Sequence, residues 1–109
     1  MITKTINIQD QEYTILIGRN AKENHQIIKM SHPESLWFHL NHVSSAHIVL
    51  QTEGVQVPKT YLYQVASLLF EYKKNTPPNV KVIYTEIKNV KCTKTPGEVT
   101  TTNIKYLKF

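Results

Sequence analysis

The period of the apolar residues switches along this chain, and the order of the switches narrows the fold. Residues 3–8 (TKTINI) and 12–17 (EYTILI) are rich in β-branched side chains and flank QDQ, with Asp10 as the turn former. This pattern predicts an antiparallel hairpin. In the following GRNAKENHQIIKMS, Asn20 can cap a helix and Glu23 stands where a capping box needs its acidic partner. The predicted helix runs from about Ala21 to Met30, with Ile27 and Ile28 towards the core. Pro33 stops it, because a proline disfavours helix in the residue before it. LWFHL and AHIVLQ read as two strands joined by NHVSS, and TEGVQ as a loop. Pro58 opens a second helix, PKTYLYQVASLLFEYKK, whose Leu62, Val65, Ala66 and Leu69 share one face. Lys73 and Lys74 are expected to complement its C-terminal dipole. VKVIYTEI is a strand, KTPGE a turn at Pro96 and Gly97, and VTTTN and IKYLKF are short strands around Asn103. The order ββαββαβββ predicts an α+β fold: a single compact domain over residues 1–109, with two main helices on a mixed or mostly antiparallel sheet.

Such a domain can bury one core without staples. The lone cysteine, Cys92, cannot form an internal disulfide, so an intracellular, reducing, cytoplasmic setting is expected. No run approaches the roughly 18 apolar residues of a membrane span. The N-terminus, MITKTINIQD, has no apolar signal core. No membrane partner is therefore expected. The net charge of +5 is uneven: residues 73–109 hold eight lysines against Glu86 and Glu98. A basic half suits a polyanionic partner, and it equally suits a solvated lysine-rich surface.

Arg19 is the chain's one arginine among twelve lysines (13 basic residues less Arg19). Gly18 lets the strand turn, and the helix behind it presents free N–H groups to an anion. The planar guanidinium adds a two-point grip that lysine lacks. Lys22 opposes the dipole in the first turn, which hints at an anionic partner there. The same stretch also fits a structural arrangement, with Arg19 paired to a carboxylate and Lys22 in solvent. On the LWFHL strand, Trp37 and His39 share one face, opposite Leu36, Phe38 and Leu40. Trp37 and His39 could stack on bases, with Ser44 and Ser45 offering hydroxyls, although a lone tryptophan is more commonly core. Lys88, Lys91 and Lys94 recur every third residue in IKNVKCTKTPG and would form a cationic ridge along a phosphate backbone. They would equally keep a strand edge soluble. The spacing of His39, His42 and His47 does not suit a zinc site, and Cys92 has no CxxC partner. No paired carboxylates, P-loop or GxGxxG are present, so no cofactor and no catalysis are expected.

Taken in order, ILIGRNAKEN, PESLWFHLNHVSSAHIVL, VPKTYLYQVASLLFEY and VKVIYTEIKNVKCTKTPGEV resemble the NFACT-R domain family, the RNA-binding domain of ribosome-quality-control proteins. The resemblance covers about residues 12–109 and rests on the combination of a G-R-N-x-x-x-N turn, a W-F-H strand, a small-small-x-His and a Y-T-x-x-K-x-V-K strand. Ser35 stands where the family usually has an acidic residue. Ser44-Ser45-Ala46-His47 replaces its frequent Pro-Gly-Ser-His and is closer to standalone eukaryotic members of the coiled-coil-domain-containing protein 25 type. Those carry a charged helical tail, whereas this sequence stops at Phe109, so a minimal freestanding module is expected. The resemblance implies that Gly18, Arg19, Asn20, Lys22, Asn24, Trp37, His39, Ser45 and His47 are signature positions, expected to gather into one polar surface. The leading expectation is a non-enzymatic nucleic-acid-binding module that contacts the phosphate backbone of RNA ahead of DNA, with ribosome or tRNA as possible partners and translation quality control as the setting. On that expectation Arg19→Lys weakens binding more than Lys94→Ala does. Alternatives are a protein-interaction module that docks on ribosomal or quality-control partners, and a nuclease or processing enzyme using His39 or His47.

Overall fold

β1 (Ile2–Ile8) and β2 (Gln11–Ile17) form the predicted hairpin, with Ile8 opposite Gln11. The linking Gln9 and Asp10 have φ of 51° and 67°. Two successive left-handed residues make the tight turn whose twist matches that of the strands. α1 (Ala21–Met30) starts as expected: the Asn20 side chain accepts the Glu23 backbone N–H at 2.9 Å. β3 (Leu36–Leu40) and β4 (Ile48–Leu50) follow, then α2 (Lys59–Glu71), then β5 (Val82–Glu86). A 3-10 turn (Ile87–Asn89) leads into β6 (Val90–Cys92), β7 (Val99–Thr101) and β8 (Lys105–Leu107). This computed structural model describes residues 1–73 and 75–109.

The main sheet has six strands in the order β1-β2-β4-β3-β5-β8, and every pair in it is antiparallel. Both faces of its centre are covered. On one side Ile15, Ile17, Phe38, Leu40, Ile48 and Leu50 pack against Leu62, Val65, Ala66 and Leu69 of α2. On the other, Leu16, Trp37, Val49 and Ile83 meet Ile27 and Ile28 of α1, together with Ile87 and Val90. Each large side chain taken fully out of water contributes about 1.5–3 kcal/mol. The layers are therefore α2, sheet, and α1 beside a small β6–β7 hairpin.

That hairpin is where the fold departs from expectation. Residues 90–92, expected within an extended cationic ridge or a soluble strand edge, form β6, which pairs with β7 in a separate two-stranded sheet. β7 does not pair with β8, which instead returns to the edge beside β5. α2 is shorter than its apolar pattern suggested: it ends at Glu71, with Tyr72 as its cap and Lys73 beyond. Lys74 lies outside the described residues. Among the described residues no helix is long and apolar enough to cross a membrane.

Candidate nucleic-acid interface

The signature glycine is a packing device. Gly18 is buried at the end of β2 and gives its N–H to the His47 carbonyl at 3.0 Å. A Cβ there would lie 2.1 Å from Asn24 Oδ1 and 2.9 Å from the Asn24 backbone nitrogen. Asn24 is itself buried, and its Oδ1 accepts the His47 N–H at 3.2 Å. Gly18, Asn24 and His47 thus tie the end of β2, the first turns of α1 and the entry to β4 into one lock. Asn24 and His47 were expected to touch nucleic acid; burial and these bonds give them to the scaffold.

Trp37 requires the same correction. Its place beside His39 on one face of β3 is as predicted, but that face lies under α1 and Val90, and Trp37 is 1% exposed. It cannot stack on a base. Its Nε1–H instead donates to His47 Nδ1 at 3.2 Å. The His39 ring lies parallel to the indole, 5.6 Å away and tilted 9°, and meets the edge of His47 at 4.8 Å. His39 Nδ1 is 2.6 Å from the Leu40 carbonyl. A carbonyl only accepts, so Nδ1 carries the proton and Nε2 is left as an acceptor.

Burial pushes the His39 imidazole below its usual range, opposed by the Leu40 carbonyl and helped by Lys73. Burial, with His39 and His25 nearby, takes His47 from 6.5 down to about 3. Between those two values the unfolded chain binds a proton here that the folded chain refuses, so stability falls as pH falls through that window. Urea unfolding is therefore expected to show a loss of about 2 kcal/mol between pH 7 and pH 5, at 1.36 kcal/mol per pKa unit. His47→Asn should flatten that slope whatever it does to stability at pH 7. An unchanged slope would mean that His47 is not buried neutral.

Arg19 does use its fork, on a partner within the chain. Its Nε and one terminal nitrogen donate to the two Glu23 carboxylate oxygens at 3.2 and 3.1 Å, and its backbone N–H adds a bond at 3.0 Å. The Met1 ammonium sits 2.6 Å from the same carboxylate. Arg19, ahead of the ammonium, lowers the Glu23 carboxyl to about 2. Lysine could not hold both oxygens at once. The guanidinium stays well exposed at the rim.

Above the lock lies a cleft of about 480 Å³. Seven expected residues line it: Gly18, Arg19, Asn20, Asn24, His39, Ser45 and His47. The Ser45 hydroxyl is partly committed, accepting the Leu40 N–H at 3.2 Å and donating to the Ala46 carbonyl at 3.0 Å. Tyr72 and Lys73, from the end of α2, complete one wall. The Pro96–Gly97 turn completes another, with Gly97 at φ 80° and its α-carbon so close to α1 that a Cβ would lie 3.0 Å from Ala21 Cβ. Neither wall was expected, because both come from chain remote from the signature; only the turn itself was legible.

A groove of about 390 Å³ adjoins the cleft, sharing Ala21 and Pro96 with it, and gathers Lys22, His25, Lys29 and Lys94. Lys22 and Lys94 meet here as two of the expected cations. Lys88 does not join them: it sits on the 3-10 turn, 3.4 Å from Glu34 and 3.6 Å from Glu86. Lys91 projects into solvent from β6 and lines neither cavity. The ridge of three is therefore corrected to one lysine, Lys94, joined to two from α1, because the segment turns and then pairs rather than running extended. Among the described residues no three His, Cys, Asp or Glu side chains converge as metal ligands.

The sequence matches the NFACT protein RNA binding domain over residues 2–103. It is similar to coiled-coil domain-containing protein 25 of Mus musculus, 34% identical over a 96-residue alignment that covers 80% of this chain and 45% of that one. The homolog from Dictyostelium discoideum is 32% identical over a 93-residue alignment that covers 77% of this chain and 44% of that one. The chain thus spans less than half the length of these relatives. A solved structure, the C-terminal part of the fibronectin/fibrinogen-binding protein from Streptococcus suis, superposes with a TM-score of 0.79 over 99% of this chain and 45% of that one, at 24% identity. That likeness concerns the fold. With the sequence match covering nearly every residue of the sheet and both helices, the chain belongs to the NFACT RNA-binding domain family.

Proposed function

We propose that this domain binds RNA without catalysis, laying phosphates along Lys22, Lys29 and Lys94 and bringing the strand to the adjoining cleft. The observation that carries the reading is the convergence of Lys94 with Lys22 and Lys29 of α1, far from it in sequence, on one groove that opens beside the signature residues. Membership of an RNA-binding domain family supports it. RNA carried by the ribosome or by tRNA in a reducing cytoplasm is the proposed partner, and translation quality control the proposed setting.

Fluorescence anisotropy with labelled single-stranded RNA across a salt series tests this. Affinity should fall steeply with salt, and Lys22→Ala or Lys94→Ala should weaken binding for all sequences and reduce the salt slope by about 1 each. Because the Arg19 fork is held by Glu23, Arg19→Lys is now expected to weaken binding less than Lys94→Ala, the reverse of the order that the sequence suggests. No salt-sensitive binding, or lysine variants that bind as tightly as the native protein, would refute the reading.

A further inference from the structure

One histidine lining the cleft is held so that a ring nitrogen is left as an acceptor, and the four RNA bases share one feature that suits it. Three contacts fix the His39 ring: the parallel indole of Trp37, the edge of His47 and the Leu40 carbonyl on Nδ1. Burial disfavours the charged ring, so Nε2 offers a lone pair at neutral pH. Among the described residues nothing donates to it, and His39 lines the cleft. Every RNA base carries at least one N–H on its pairing edge: an amino group on adenine and cytosine, a ring N–H on uracil, both on guanine. In a duplex those groups are spent on the opposite strand. An acceptor of this kind therefore discriminates unpaired from paired bases and is tolerant of sequence. The cleft's volume of about 480 Å³ falls within the usual range for sites that take one small-molecule-sized group, roughly 300–1,000 Å³. Exposed Tyr72 on its wall offers an aromatic surface.

We propose that the cleft takes one unpaired nucleotide of a bound RNA, whose pairing-edge N–H donates to His39 Nε2. This rests on the RNA-binding reading and adds a ligand state to it: single-stranded, with little base preference. Since the acceptor is held in place before binding, little ordering opposes the contact.

The test uses the native protein and three oligoribonucleotides of equal length, made of uridine, 5-methyluridine and N3-methyluridine. Both methylated strands carry the same extra bulk; only N3-methylation removes the single pairing-edge N–H. Oligouridine and the 5-methyl strand should bind alike, and the N3-methyl strand about tenfold more weakly, the worth of one hydrogen bond at a buried acceptor. His39→Phe keeps a ring against Trp37 and should bring oligouridine down to the N3-methyl value. In the native protein, adding oligouridine should also move the His39 Nε2 resonance in a nitrogen-detected NMR spectrum. Equal binding of all three strands, or an unmoved resonance, overturns the inference and leaves the RNA-binding reading standing. No binding of any strand at low salt overturns both.

Discussion

Trp37→Ala is expected to lower the unfolding free energy by about 3–5 kcal/mol, a large share of the 5–15 kcal/mol that holds a small domain together. The substitution empties a site under α1 that is lined by Ile27, Ile28, Val49 and Ile83, where the indole is 1% exposed. It also removes the N–H that satisfies His47 Nδ1. Trp37→Phe should cost less, because it keeps most of the apolar contact and loses chiefly that donor. Chemical denaturation measures both. Acrylamide adds a check that needs no variant: Trp37 is the only tryptophan, so fluorescence of the folded protein should resist quenching and become quenchable on unfolding. Ready quenching of the folded state would show the indole at the surface and restore it as a base-stacking group.

Gly18→Ala should cost roughly 3 kcal/mol, at the upper end of ordinary overpacking. A methyl at 2.1 Å from Asn24 Oδ1 cannot be accommodated by rotating that amide alone, since the Asn24 backbone nitrogen lies 2.9 Å away as well. α1 must move off the end of β2, and the bonds from Gly18 N–H to the His47 carbonyl and from His47 N–H to Asn24 must stretch with it. Asn24→Ala alone loses a buried acceptor for the His47 N–H. The double variant should be less unstable than the sum of the two, because removing Oδ1 relieves the nearest clash. Strict additivity in a denaturation cycle would mean that the three residues do not form one lock.

Most of the architecture was legible because it is local. The turn at Asp10, the Asn20–Glu23 cap and the spacing of Leu62, Val65, Ala66 and Leu69 each report on a few neighbouring residues, and each element formed there, α2 ending earlier than expected. What was not legible depends on pairing across distance. β6 has three residues, and only the presence of β7 makes it a strand. The burial of Trp37 follows from a cover supplied by α1 and Val90, which alternation along β3 cannot reveal. One signal did point to it: Ile48, Val49 and Leu50 are consecutive apolar residues, and such a run marks a strand covered on both faces. The site divided along the same line. Gly18, Asn24, Trp37 and His47 pack as scaffold, while His39 is half-buried and the lysines of the groove are exposed.

The cleft walls come from the end of β2 with the start of α1, from β3 with the segment before β4, from the end of α2, and from the β6–β7 turn. No contiguous stretch of chain contains more than part of that enclosure, so it exists only while the whole domain is assembled. Occupancy and global folding are therefore linked by mass action: a ligand at one hundred times its dissociation constant adds about 2.7 kcal/mol to stability. The melting temperature becomes a gauge of occupancy, one that reads any compound filling the cleft before its chemistry is known.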